Sequence, residues 1–492
     1  MKKYSFLGAA LSMMAALMMT ACSNDDNANE SPAQQNVAKT IPYTVTVNGG
    51  ASTRATVQSD NKTLYFADGD KLYVSGTNIK GVLDIQTGDG STTGPGTASA
   101  TFSGDLTYSG SGSPASDLSL TATLVSAQQT VGTSAGCQVS VNDAGEVTVN
   151  YPTTVYCADV ASAVQKFSNL TGTSTYSSKS FSLTQQTAFL NFEISFADGT
   201  GITAGANLST VVNNNGNTIC GGNVTATNDG GVIKAKFVLP VAASTATVTK
   251  TLTSAYVKFN SDDSKVLRLR DVASLEGKVY NVKPAQSSTL ASVTASHLGW
   301  LVGSDGKAYD PTKGYMPIGV TAVAKICYLG SETAEADNGF NHGLALALSD
   351  ANGGGGCLWC TSTGNVHTYK AANSSSFASE SGLQYNAKHN SEIDYYPAFK
   401  AAIANNGTAA PTDCSSWFLA SGYQWKQMIG ATGLNNLGLT GNAYYWSSTE
   451  RDNDSAWIIS TLDGSNWGSW GSINKDEYSW FSLTRVRACL AF

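Results

Sequence analysis

Cys357-Leu358-Trp359-Cys360, with His367 seven residues further on, is where side-chain types and spacing come nearest to chemistry in this 492-residue chain. Two thiols and an imidazole make half of a structural zinc site, which needs four ligands, and the sequence contains no second C-x-x-C. The pair is therefore expected to be a disulfide or two buried thiols. Cys414 and Cys489 are a further candidate pair whose connectivity the sequence leaves open. His342 stands beside Gly343 and an apolar run, and no histidine has a serine or cysteine beside it in a nucleophile setting. Gly353 to Gly356 is a glycine run without the following Lys-Ser/Thr of a phosphate loop. Asp452-Asn453-Asp454 carries oxygens suited to calcium, but three polar residues on one loop are expected to be solvated. The expectation is a protein that is not an enzyme, with no cofactor and no metal.

The elements that must position any binding surface begin with a leader. Lys2 and Lys3 precede an apolar run from Phe6 to Met19, of signal-peptide length and too short for a spanning helix. Its end, Met19-Thr20-Ala21-Cys22, resembles a bacterial lipobox, which implies lipidation of the Cys22 thiol. The alternative is ordinary cleavage near Ala21 beside an incidental cysteine. Ser23-Asn24-Asp25-Asp26 resembles the acidic tag that sends Bacteroides-type lipoproteins to the outer face of the outer membrane, where a periplasmic location is the alternative. Residues 1–22 are thus expected to be a lipoprotein signal peptide and 23–40 a flexible tether, polar and aperiodic from Ser31 to Lys39. The membrane is then a partner through the lipid anchor.

Charged residues make up only 13% of the chain, while glycine is abundant, as suits short strands joined by many turns. A net charge of −7 argues against nucleic acid, whose phosphates need a basic surface. Of nine cysteines, the eight after Cys22 are too few in so long a chain for a disulfide-built scaffold. All nine tryptophans fall at Trp300 or later and all four histidines at His297 or later, which places a domain border near residues 284 to 294.

Before that border, Ile41, Tyr43, Val45 and Val47 alternate with Pro and Thr at the period of a half-buried strand. The pattern recurs at Leu118, Leu120, Ala122 and Leu124, at Val147, Val149 and Tyr151, and at Ile233, Ala235, Phe237 and Leu239. Turn clusters such as Asn228-Asp229-Gly230-Gly231 separate the runs. A mainly β half with two β-sandwiches is expected, at 41–168 and 169–285. The strand followed by Ser52-Thr53-Arg54-Ala55, then Phe66-Ala67-Asp68-Gly69-Asp70, Phe189-Leu190-Asn191-Phe192 and Leu275-Glu276-Gly277-Lys278-Val279-Tyr280, resembles the fimbrillin family of pilus subunits and surface lipoproteins. That resemblance implies proteolytic maturation after Arg54, loss of the first strand, and pairing with fimbrial subunits through the vacated edge. An uncut Arg54 in an exposed turn is the alternative. Shaft subunits of that family donate a C-terminal strand, whereas this chain ends in another domain, so a tip subunit or stand-alone lipoprotein fits better.

Beyond the border an α+β domain is expected over 293–492. Gly299 to Tyr309 is a turn between two strands, Ala322 to Leu329 and Gly343 to Leu348 are buried strands, and Ser391 to Ile403 has near-helical apolar spacing. Ser421 with Gln424 three residues on is a capping box opening a helix that turns Trp425, Met428 and Ile429 to the core. With Tyr445-Trp446-Ser447-Ser448-Thr449-Glu450 and Arg485-Val486-Arg487 at the end, the set resembles the C-type-lectin-like domain. Ala420 stands where that family usually has proline, and Gln424 where it has glutamate. The family's calcium triplets are missing, and the reactive cysteine pair of its formylglycine-generating branch has no counterpart.

The final fifty residues resemble the variable region of a diversity-generating retroelement target. That resemblance implies a surface rewritten at adenines, with Trp446, Trp457 and Lys475 held constant. The implied ligand-binding residues are Tyr444, Arg451, Asp452, Asn453, Asp454, Ser455, Ser465, Asn466, Trp467, Ser469, Trp470, Ser472, Asn474, Tyr478 and Ser479. Tyr444, Trp467, Trp470 and Tyr478 are the expected aromatic anchors, with Trp480 either an anchor or core. An invariant adhesin with a polar, loop-rich end is the alternative. The expected function is a surface-displayed adhesin or receptor for a protein or glycan ligand on another cell or phage surface. An accessory or tip pilus subunit is the rival.

Overall fold

A computed structural model describes residues 37–49, 56–57, 64–88, 97, 99–132, 136–153, 157–245, 249–331, 334–361, 381–452, 454–462, 469–475 and 484–492. Cys22, Arg54, His367, Asn453, Ser465, Asn466, Trp467, Tyr478, Ser479 and Trp480 lie outside the described residues. No described helix is long and apolar enough to cross a membrane.

The alternating run at 41–47 forms β1 (Lys39–Gly49), which buries Tyr43, Val45 and Val47. The strands that follow are β2 (Lys71–Gly76), β3 (Ile79–Ile85), β4 (Ser99–Tyr108), β5 (Ser119–Val125), β6 (Leu170–Thr175) and β7 (Ser180–Gln185). They close into a seven-stranded barrel in the order β1-β7-β6-β5-β2-β3-β4, with β4 antiparallel and β7 parallel to β1. This corrects the expected first sandwich in two respects. The sheet closes on itself, which removes exposed edges. The boundary also falls at 185–187 and not at 168, because Leu170, Phe181 and Leu183 point into the barrel core. A helix, α1 (Val160–Phe167), capped by Asp159, interrupts the run of strands before β6.

The second body is a sandwich, as expected. Its strands are β8 (Thr187–Phe196), β9 (Asn207–Asn214), β10 (Asn217–Thr225), β11 (Thr227–Asp229), β12 (Val232–Ala242), β13 (Tyr256–Phe259), β14 (Val266–Arg268) and β15 (Val279–Val282). Two four-stranded sheets, β11-β12-β8-β15 and β10-β9-β13-β14, enclose a core of Phe192, Phe237, Val257 and Phe259.

The third body is α+β. Its main sheet takes β16 (Ser287–Thr289), β17 (Leu301–Gly303), β18 (Lys307–Tyr309), β19 (Ala322–Leu329), β20 (Gly343–Ala347), β21 (Phe418–Leu419) and, later in the chain, Ala488–Ala491. The last of these lies between β20 and β21 and brings the end of the chain into the centre of the domain. The apolar run at 391–403 is broken by Pro397 into a 3-10 segment and α3 (Pro397–Ala404), which follows α2 (Gly382–His389). The capping box forms as expected. Gln424 N–H donates to Ser421 Oγ at 3.3 Å and Ser421 N–H to Gln424 Oε1 at 2.9 Å, opening α4 (Gly422–Thr432) with Trp425, Met428 and Ile429 buried. A second, three-stranded sheet, β22 (Tyr444–Glu450), β23 (Ser455–Ser460) and β24 (Ser469–Asn474), packs between the main core and α4.

Candidate functional site

The three-stranded sheet carries most of the described candidate residues, and its register decides which way each one faces. Trp446 pairs with Ile458, which pairs with Gly471, and Ala456 pairs with Ile473; this face closes on the main core. On the opposite face Ile459 pairs with Trp470, Trp457 with Ser472 and Ser455 with Asn474. The inner part of that face, Tyr445 and Ile459, is covered by α4. Its outer part is a small cluster of Trp457, Tyr423 and Trp470. The guanidinium of Arg451 lies 5.7 Å from the Trp457 ring and donates to Ser472 Oγ.

Arg451, Asp452 and Asp454 are exposed on the turn between β22 and β23, and Asn474 is exposed at the end of β24. Asp452 shapes that turn, its Oδ1 accepting the N–H groups of Asp454 at 3.0 Å and Ser455 at 2.8 Å. Tyr444, Trp470 and Ser472 are half-buried, so each offers an edge and not a whole side chain. Ser469 sits in β24 opposite Ser460. Ser455 is a correction: at 6% exposure it is turned inward, because the Asp452 turn ends there and β23 begins its wholly buried run.

Two buried ion pairs fix this sheet. Lys475 Nζ donates to Glu450 Oε1 at 2.8 Å with both side chains buried, tying the end of β22 to the end of β24 across the Asp452 turn. The backbone of Lys475 is held as well, its N–H by Asp454 O and its C=O by the N–H groups of Trp359 and Cys360. Lys475 Nζ also lies 5.0 Å from the centre of the Trp359 ring, and Trp359 Nε1 donates to Ser447 O at 2.8 Å. In the second pair, Asp350 receives Arg487 Nε at 2.8 Å and Arg485 Nη1 at 2.9 Å, with Thr440 and Tyr445 completing its shell. Burial pushes the Asp350 carboxyl up, and the Arg487 guanidinium, the Thr440 hydroxyl and Arg485 together more than offset this and hold it low. Trp446, Trp457 and Lys475, the positions expected to stay constant, are all buried.

The eight cysteines among the described residues are free thiols. Burial pushes Cys357 and Cys414 up to about 12, and neither Cys357–Cys360 nor Cys414–Cys489 is bonded. In the C-x-x-C, Cys357 is a half-buried thiol and Cys360 a buried one. The His389 ring lies tilted against Tyr396, with centroids 3.9 Å apart, beside Trp359 and Phe399, and burial there, with Lys475 and Lys388 near, lowers it to about 4. No group of three metal-ligating side chains occurs among the described residues.

Sequence reasoning missed Tyr423 and Asp350. Tyr423 had a signal, since it sits on the side of α4 that Trp425 leaves open. Asp350 had none, because its partners are 135 and 137 residues away.

No family model matches this chain, and comparison with curated proteins finds no match. Among solved structures it is similar to a fimbrial protein from Bacteroides ovatus, at 14% identity over 92% of this chain and 100% of that one, with a TM-score of 0.28. A fimbrial assembly protein from Parabacteroides distasonis is 10% identical over 50% of this chain and 91% of that one, with a TM-score of 0.25. The tip fimbrial protein of Porphyromonas gingivalis is 8% identical over 50% and 96%, with a TM-score of 0.23.

Proposed function

We propose that this chain is a lipid-anchored, surface-displayed ligand-binding protein that presents a lectin-like C-terminal domain on two β bodies. The observation that supports it is a division of labour in the three-stranded sheet. Trp446, Glu450 and Lys475 are locked inside, while Arg451, Asp452, Asp454 and Asn474, a few residues away, face solvent beside a tryptophan-tyrosine cluster. Aromatic and arginine groups at the centre of a patch ringed by polar residues are the usual energetic core of a recognition surface. A fixed frame with variable outward groups also suits a sequence that is rewritten from gene copy to gene copy, because the frame rests on buried groups, with Asp452 the one outward residue that shapes its turn. The ligand is a protein or glycan on another surface, and the domain carries out no catalysis.

The test is binding of the labelled protein to a glycan array and to intact bacterial and epithelial cells. Arg451→Ala combined with Trp470→Ala should abolish whatever binding the parent shows; retained binding would contradict the assignment of this face. For diversification, the genome should hold a near-copy of the gene's 3′ end that differs at adenines, beside a reverse transcriptase gene.

One observation favours the pilus reading as an alternative. β1 pairs along ten residues with β4 and along four with β7, so its removal would open the barrel along one complete seam. A surface-extracted protein beginning at Ala55 together with fimbrial subunits would support that role.

A further inference from the structure

Residues 314–319, which belong by sequence to the C-terminal domain, lie in the second sandwich. β15 accompanies β8 in parallel only over Phe189–Phe192 and then leaves it. The segment Tyr315–Ile318 enters the gap between the ends of the two strands. Ala197 N–H donates to Ile318 O at 2.8 Å and Ile318 N–H to Ser195 O at 2.9 Å. On the other side Ala285 N–H donates to Tyr315 O at 2.8 Å and Tyr315 N–H to Lys283 O at 2.9 Å. Ile318 is 4% exposed and belongs to the sandwich core, with Tyr315 packed against it.

Arg270 of the sandwich reaches across to the same segment. It donates to the carbonyls of Pro311 at 3.0 Å, Thr312 at 3.2 Å and Gly314 at 2.7 Å, and its guanidinium lies 5.0 Å from the Tyr315 ring. Glycines bracket the insertion where nothing larger fits. Gly314 has φ +89°, and a Cβ there would meet Pro284 O at 2.3 Å; Gly319 has φ +94°, and a Cβ would meet Thr200 Cγ2 at 2.7 Å.

We infer that residues 314–319 are a strap that makes the second sandwich and the C-terminal domain one cooperative unit, fixing the direction in which the three-stranded sheet is presented. Domains joined by a linker move relative to each other by default and unfold separately. A segment hydrogen-bonded to two strands of its neighbour, with a side chain in that neighbour's core, cannot leave without opening it. Force applied at the binding face therefore passes into the sandwich through backbone pairing and not through a hinge. This holds whether or not the face binds a ligand.

The test uses the tryptophans as a built-in reporter, since all nine lie at Trp300 or later and report the C-terminal domain alone. Val257, in β13, is fully buried in the sandwich core and is remote in sequence from every tryptophan. In urea titrations of the full chain, Val257→Ala should lower the tryptophan midpoint, by a shift on the order of 0.5 M. In an Ile318→Ser background the same substitution should no longer move it. Arg270→Ala, a milder change, should reduce the shift if Ile318→Ser does not fold. A tryptophan midpoint indifferent to Val257→Ala in the parent chain would overturn the strap. So would a shift that survives undiminished in both strap variants.

Discussion

The two β bodies and the C-terminal domain treat charge in opposite ways. Among the described residues up to 285, Asp70 is the only buried carboxylate and no lysine or arginine is buried. Ion pairs such as Lys71–Asp84 and Lys278–Glu276 are solvent-exposed there and contribute little, and Lys234–Glu193 is only half-buried. The C-terminal domain buries Glu335, Asp350, Glu450, Lys475 and Arg487. Buried pairs seldom add net stability over apolar groups of the same shape, but breaking one strands a charge. Among the described residues the first two bodies are held without a buried ion pair, which suits a stalk. The third uses charges at fixed distances, which suits a surface whose backbone must hold still while its exposed side chains differ.

The sharpest way to break this comparison is Lys475→Met. It removes the buried cation that faces Glu450, and should destabilise the C-terminal domain by about 3–5 kcal/mol, read from tryptophan fluorescence in urea. Adding Glu450→Gln should restore part of the loss. A neutral single substitution would mean that the pair is dispensable and the contrast between bodies is cosmetic.

Opposite responses to pH come next, each on the order of 2–3 kcal/mol by linkage. His389 is lowered by burial to about 4, so the folded domain favours the neutral ring. Its contribution is intact above the unfolded value near 6.5 and is lost as pH falls towards 4. Asp70 is raised by burial to about 6 in spite of the N–H groups of Ala67 and Ala127. Its contribution is intact below about 4 and is lost as pH rises through 6. Hydrogen exchange at pH 4.5 and 7 should therefore show the C-terminal sheet loosening on acidification and the barrel tightening. Movement in the same direction would contradict the two assignments.

The smaller effects are local. Ser421→Ala removes the cap of α4 and should cost about 1 kcal/mol, read from the same titration. Arg451→Ala and Asp454→Ala should each stay within about 0.5 kcal/mol of the parent, since both side chains are exposed.

What the sequence disclosed follows from the range of each signal. Period-2 alternation at Ile41–Val47 and the Ser421–Gln424 box are complete within a few residues, and both elements formed as read. The end of the barrel was misplaced because closure depends on β7 meeting β1, more than 130 residues apart, and no local pattern records that pairing. In the site, Arg451, Asp452 and Asp454 were legible as turn residues. Ser455 was not, because only the packing of the folded sheet shows that it is buried. The partners of Lys475 and Arg487 were hidden for the same reason. A lone lysine in a polar stretch looks solvated until Glu450 and Trp359 are placed around it.

The most direct measurement is a pair of display libraries sorted for folded protein, one randomised at Arg451, Asp454 and Asn474, the other at Trp446, Glu450 and Lys475. A frame that does not rely on these outward groups predicts folded clones carrying almost any residue at the first three positions and close to the parent residues at the other three. If folded clones prove as restricted at the exposed positions as at the buried ones, the surface is part of the frame and the proposed recognition role fails.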